Sequence, residues 1–312
     1  MNRREFLEGL GMAFAATSLG GCKTLTSPDF DASTSVLISD LHVKHDGFQD
    51  EFLCRTVDKI LSMRPLPKNV VCFGDIAYLT GDEADYRKSE PILRRLTAAG
   101  ITLTLGLGNH DRRSTFLKAW PEYRQRTRVP GYVVSEVDLG ACDLLLLDTL
   151  HEPDTPESIA RGYILEGQLN GAQRDWLLRE VQSRRRPFFL GAHHQMDKIN
   201  GRNWREINDL AFDTPLCIGW IHGHDHAWYN KLIQNSKTDW WGEYDYKRSL
   251  SLPTASNWGD VGYVVLRTRP GEARAELVEY DHFFPYPTSR KQLDRDMVEE
   301  RQGQFMTFRW RT

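Results

Sequence analysis

The chain has 312 residues, of which 40% are hydrophobic and 27% charged, with a formal net charge of −3. These values describe a folded chain with a substantial core and exclude an intrinsically disordered one. The weak negative charge gives no basis for avid binding to nucleic acid or to an anionic membrane, so no strong nucleic-acid binding is expected.

Residues 1–21 read as an export signal. Arg3 and Arg4 precede a short run of small and apolar residues from Gly9 to Gly21, too short to span a bilayer as a helix. "NRREFL" resembles a twin-arginine signal, and "LGGC" resembles a bacterial lipobox that would make Cys22 the lipidated first residue of the mature protein. The expected location is therefore outside the bacterial cytoplasm, in the periplasm or anchored to the membrane through Cys22. Residues 22–34 read as a linker and 35–312 as a single domain. Cys72, Cys142 and Cys217 sit in apolar runs and read as buried small hydrophobes. No Cys-x-x-Cys spacing points to a structural zinc or a redox pair.

Elements then alternate. "SVLISD" (35–40), "NVVCFGD" (69–75) and "ITLTLGLGNHD" (101–111) are apolar strand candidates. Between them, 48–63 carries a helical stripe of Phe52, Leu53, Val57, Ile60 and Leu61, and 84–99 reads as a helix with Pro91 as a kink or late start. Strand, helix, strand, helix, strand implies parallel βαβ units. Residues 131–138 and 142–149 then suggest an antiparallel hairpin. A helix over 172–183 follows, then strands in "RPFFLGAHH" and "CIGWIHGH", and a further set of strands from about 248. The segments 195–204 and 238–246 read as loops.

Acids and histidines collect at the ends of these strands: Asp40-Leu41-His42, Gly74-Asp75, Gly108-Asn109-His110-Asp111, Ala192-His193-His194 and Gly223-His224-Asp225-His226. The carboxyl edge of parallel strands is where α/β sheets bind ligands, so five such ends imply one shared rim. Carboxylate, imidazole and amide oxygen together suit borderline divalent ions such as manganese, iron, zinc or cobalt. Seven donors exceed the needs of one tetrahedral ion, and two ions sharing a carboxylate would use them all. Glycines before Asp75, Asn109 and His224 allow close approach of the backbone.

The ordered set "DLH", "GD", "GNHD", "GAHH" and "GHDH" resembles the calcineurin-like metallophosphoesterase superfamily. Asp-x-His followed by "GDIAYLTGDEADY" is similar to its class III cyclic-nucleotide phosphodiesterase branch. The resemblance implies a four-layer α/β/β/α sandwich of two mixed β-sheets flanked by helices, with a dinuclear metal centre at the sheet ends. It implies that Asp40, His42 and His226 hold one divalent ion, that Asn109, His193 and His224 hold the other, and that Asp75 bridges them. His193 is preferred over His194 as the ligand, although Gln195 stands where the family usually has proline.

A bridging hydroxide would attack the phosphorus of a small phosphorylated substrate, phosphodiester in preference to phosphomonoester. His110 would protonate the leaving alkoxide, and Asp111 would orient His110 or a ligand histidine. Arg112 and Arg113 are candidates for phosphate oxygens. His194 and His222 read as residues backing the ligands, with His194 a further candidate for substrate contact. "GDIAY" resembles the Gly-Asp-x-x-Tyr of purple acid phosphatases, but His42 already fills that side of the ion, so Tyr78 is expected as a neighbour. The competing expectation is an exported binding lipoprotein that keeps the fold without turnover; the complete ligand set argues against it. Specificity is expected in 195–204 and 238–246, with Trp204 and Trp241 as stacking candidates.

Overall fold

The period-2 alternation of the first strand sets up the layers. Val36 and Ile38 join one buried cluster and Leu37 another, because successive side chains on a strand point to opposite faces. The computed structural model describes residues 33–169, 171–200, 202–234, 246–257, 259–283 and 302–312. The signal, Cys22 and Trp241 lie outside these residues.

In chain order the strands are β1 (Ser33–Ile38), β2 (Asn69–Cys72), β3 (Thr102–Leu105), β4 (Ser135–Asp138), β5 (Asp143–Leu146), β6 (Phe188–Ala192), β7 (Cys217–His222), β8 (Tyr229–Gln234), β9 (Tyr246–Ser251), β10 (Gly259–Arg269), β11 (Glu272–Phe283) and β12 (Phe305–Arg309). The helices are α1 (Gln49–Ser62), α2 (Glu83–Ala98), α3 (Arg113–Ala119), α4 (Tyr123–Arg126), α5 (Pro156–Arg161), α6 (Gly171–Ser183) and α7 (Arg202–Asp213). They form two six-stranded sheets, ordered β12-β11-β10-β1-β2-β3 and β4-β5-β6-β7-β9-β8. β1, β2 and β3 pair in parallel, as do β5, β6, β7 and β9, while β10 to β12 extend the first sheet in antiparallel fashion.

Three cores separate four layers. Leu37, Val71, Val264, Leu266 and Phe308 of the first sheet meet Leu144, Leu146, Phe189, Ile221 and Leu250 of the second. Leu53 and Val57 of α1, with Tyr86 and Leu93 of α2, cover the outer face of the first sheet. Leu177 and Val181 of α6, with Ile207 and Ala211 of α7, cover the outer face of the second. This is the expected α/β/β/α sandwich of two mixed sheets. Among the described residues, no helix is long and apolar enough to cross a membrane.

Several elements depart from the sequence reading. β1 begins at Ser33, inside the expected linker. α2 continues through Pro91 rather than starting or ending there, and the proline lies on the exposed side of the helix, away from the core. The five site-bearing strand ends belong to two sheets, three to the first and two to the second, rather than to one rim. Of the expected loop 195–204, Met196–Lys198 forms a 3-10 turn and only the last three residues open α7, where Trp204 packs against the core outside the second sheet. β12 has no period long enough to stand out, yet its Phe308 is 1% exposed and meets Phe189 of the other sheet edge to face, with ring centroids 4.9 Å apart. Phe308→Ala is expected to cost about 3–5 kcal/mol of unfolding free energy, measured by chemical denaturation. A cost below about 1 kcal/mol would mean that β12 does not help to close the sandwich.

Candidate metal centre

The candidate ligands stand just past the strand ends, where the chain has left the ladder but is still tied to its neighbours. Asp40 N donates to the Gly74 carbonyl, His42 N to Asp75 and Val43 N to Ile76, at 2.9–3.1 Å, so the loops after β1 and β2 remain paired. Gly223 N donates to the His193 carbonyl at 3.0 Å and joins the ends of β6 and β7. The two sheets are tied through Thr254, whose Oγ1 donates to the Asp40 carbonyl at 2.6 Å, and through Asp40, whose carboxylate accepts from His224 N at 3.1–3.2 Å.

The backbone is strained here. Among the described residues, the non-glycine positions with positive φ are Asp40 (55°), His42 (43°), Asp75 (50°), His224 (71°) and His226 (53°). All five are candidate ligands. Left-handed conformations are costly for such residues, and they persist where the surroundings impose them for function. The glycines beside them answer to space. A Cβ on Gly108 would come within 2.2 Å of Asp75 Oδ1, and one on Gly223 within 1.9 Å of Ser39 Oγ.

The side chains converge. His42 Nε2 lies 3.1 Å from His226 Nε2, and His226 Nε2 lies 3.2 Å from Asp40 Oδ1. On the other side, Asn109 Oδ1 is 3.1 Å from His193 Nε2 and 2.9 Å from His224 Nδ1. One oxygen joins the two groups: Asp75 Oδ2 is 3.2 Å from His193 Nε2 and 3.6 Å from His42 Nε2. Ligands placed about 2.0–2.2 Å from an ion sit about 3–3.5 Å from one another, so these separations fit donor sets around two cations.

The tautomers agree. His42 Nδ1–H donates to the Tyr78 carbonyl at 3.0 Å and His193 Nδ1–H to the Phe73 carbonyl at 3.1 Å, which leaves each Nε2 lone pair for a metal. Burial pushes His42 and His224 down to about 3, so both offer lone pairs at neutral pH. Burial also opposes the proton on His193, but Asp75 outweighs it and raises His193 to about 9. For Asp75 and Asp40, burial favours the acid form, yet His193 beside the first and His226 beside the second hold both well below the usual carboxylate range.

The family that matches residues 34–228, a span containing all seven donors, is described as calcineurin-like phosphoesterase. The chain belongs to this family. Solved structures to which it is similar include the calcineurin-like phosphoesterase YfkN from Bacillus subtilis, at 14% identity over 89% of this chain and 90% of that one, with a TM-score of 0.43. Vps29 from Entamoeba histolytica, a double mutant, matches at 14% identity over 79% and 92%, with a TM-score of 0.39. Vps29 from Cryptosporidium parvum matches at 13% identity over 90% and 100%, also with a TM-score of 0.39. Among curated proteins no significant match is found.

Other residues of this family member stand differently from their sequence roles. His110 lies at the mouth: a ring nitrogen is within 4.8 Å of donor atoms of His42 and Asp75, its Nδ1 bonds the Leu79 carbonyl at 2.9 Å, and its amide holds Asp75 Oδ1 at 2.8 Å. Asp111 does not orient an imidazole. Its buried carboxylate accepts from the amides of Ile76, Ala77 and Gly108 and from the Tyr86 hydroxyl, and so binds the Asp75 and Asn109 loops to α2. Burial, with Asp75 adding to it, raises Asp111 to about 6.

Arg113 is not available to phosphate. It forms a two-pronged pair with Asp148 at 2.8 Å and also reaches Glu152 and the Leu150 carbonyl. Arg112 is engaged on the Asp111 carbonyl at 2.6 Å. His194 is buried with Nδ1 on Thr149 Oγ1 at 2.8 Å and its ring 5.1 Å from that of His224, a backing position rather than one on the substrate. Tyr78 takes part through its carbonyl. The sequence reading missed Tyr86 and the carbonyls of Phe73 and Leu79, because main-chain acceptors leave no signature in residue type.

Wild-type protein loaded with manganese is expected to hold two ions by elemental analysis. His226→Ala and His193→Ala are each expected to retain one, and Asp75→Asn to lose both at micromolar metal. Two ions retained by Asp75→Asn would show that the carboxylate is not shared.

Proposed function

We propose that this chain is a metal-dependent phosphodiesterase working through a two-ion centre. The observation that carries the reading is the single oxygen Asp75 Oδ2, placed between His42 and His193 so that two donor sets share it. Asp40, His42, Asp75 and His226 would hold one ion, and Asp75, Asn109, His193 and His224 the other. When bound, such ions polarise phosphoryl oxygens and acidify coordinated water.

The chain's own residues supply the rest. The His110 amide fixes Asp75 Oδ1, which keeps Oδ2 turned to the donor sets. The Leu79 carbonyl holds the Nδ1–H of His110, so in the imidazolium form Nε2–H is the proton available to the departing ester oxygen. A diester is favoured over a monoester on charge. A monoester brings a second negative charge, while Arg113 is neutralised by Asp148 and Glu152 and Arg112 is turned to a main-chain carbonyl. The Asp-x-His opening, similar to the class III cyclic-nucleotide phosphodiesterase branch, supports the same preference. The twin-arginine-like start and Cys22 support export and membrane anchoring, with a small phosphorylated molecule as substrate.

Metal-stripped protein is assayed on bis(p-nitrophenyl) phosphate and p-nitrophenyl phosphate, with Mn²⁺, Fe²⁺, Zn²⁺, Co²⁺ or Mg²⁺ added back. Turnover is expected to return with at least one metal, to be higher in kcat/KM for the diester, and to vanish in Asp75→Asn. His110→Ala should lose about 10²–10⁴ in rate on an alkyl ester, whose leaving group needs a proton, and much less on p-nitrophenyl esters. No turnover from protein carrying two ions would sink the reading.

A further inference from the structure

Exposed apolar side chains are unevenly placed on this molecule. Among the described residues, the large ones are Leu66, Leu79, Ile159, Leu165 and Phe305. Single exposed leucines call for no explanation, but three of these five belong to two segments that border the metal centre. Leu79, 40% exposed, is the residue whose carbonyl holds His110 Nδ1. Leu165, 47% exposed, lies in the segment 162–167 that follows α5, and Ile159, 63% exposed, lies on α5 itself.

That segment is held at three points. At its start, Gly162 sits against Thr80, where a Cβ would come within 2.6 Å of Thr80 Cγ2. Next to it, the Tyr163 ring lies on His110, with centroids 4.5 Å apart. At its end, Gly167 sits against His194, where a Cβ would come within 2.7 Å of the ring, and Gly167 N donates to the Lys198 carbonyl at 2.9 Å. The chain therefore runs from the loop bearing Leu79 past His110 to the histidine behind His224, with Tyr163 and Leu165 on the way.

Resting on the phosphoesterase reading, we propose that the substrate carries an apolar alkyl or aryl group on its leaving ester oxygen, seated against Leu79, Tyr163 and Leu165. In the hydrolysis, water oxygen forms a bond to phosphorus and gives up one proton to solvent, the P–O bond to the leaving group breaks, and the proton of His110 Nε2 ends on that leaving oxygen. The carbon next to that oxygen must then lie beside His110, on whose ring Tyr163 lies and whose Nδ1 the Leu79 carbonyl holds. An alkyl or aryl group there removes exposed apolar surface on both sides.

The test uses the manganese-loaded full chain and n-alkylphosphonates from methyl to hexyl, both as competitive inhibitors of bis(p-nitrophenyl) phosphate hydrolysis and as ligands in calorimetry. The expected result is tightening of roughly fourfold per methylene until the surface is covered. In Leu165→Ser and Tyr163→Ser, the ratio of hexyl to methyl affinity should fall toward one. Leu66→Ser, 38% exposed and lying before β2, at the end of that strand opposite Asp75, should keep the wild-type ratio. Equal affinity for methyl- and hexylphosphonate in the wild type, or an undiminished ratio in Leu165→Ser and Tyr163→Ser, would overturn the proposal. If the diester is not hydrolysed, the phosphoesterase reading fails, while the calorimetric ratio still decides the apolar contact.

Discussion

Three carboxylates buried side by side dictate the rest of the site. Asp40, Asp75 and Asp111 are each at most 1% exposed, and a buried carboxylate is tolerated only when hydrogen bonds or cations answer it. Asp111 is answered by neutral donors, three amides and a phenol. Asp40 and Asp75 also face imidazoles, those of His226 and His193, where a cation would answer their charge. The difference separates a carboxylate that holds loops together from carboxylates that face a ligand.

Strain and tethering are two sides of the same arrangement. Five ligand candidates sit in left-handed backbone, each at a cost of order 1–3 kcal/mol. That cost is sustained by the layers below: parallel pairing continues beyond the ends of β1 and β2, and Thr254 ties the connection from β9 to β10 onto Asp40. The donors are thus oriented before any ion arrives, which limits the reorganisation that binding requires. The outer edge differs in character. Around the buried polar centre, the Tyr163 ring lies on His110 and the Leu79 carbonyl holds His110 Nδ1, so the outer edge is set by main chain and an aromatic ring.

Much of the centre could be read from the residues. Asp40, His42, Asp75, Asn109, His193, His224 and His226 stand at strand ends with glycine before three of them, a pattern that depends on local order and residue type alone. His193 Nε2 faces Asp75 and Asn109, while His194 bonds Thr149 through Nδ1 and also has a ring nitrogen within 4.8 Å of donor atoms of His193 and His224. The failures have a common cause. Arg113 and Asp111 have the right chemistry for a catalytic site and the right neighbours in sequence, but Asp148, Glu152 and Tyr86 reach them from 25 to 39 residues away.

The sequence by itself therefore determined which atoms could bind metal and which strands would carry them, because donor type and strand period are local properties. Only the tertiary structure decided how those atoms are shared and which charged groups are spoken for. The place of Asp75 Oδ2 between His42 and His193 needs loops from both sheets to meet. The loss of Arg113 to Asp148 needs α3 to lie against the end of β5. The place of Tyr163 on His110 needs the segment after α5 to pass the mouth. Each is a contact between segments far apart in the chain, set by how the layers pack.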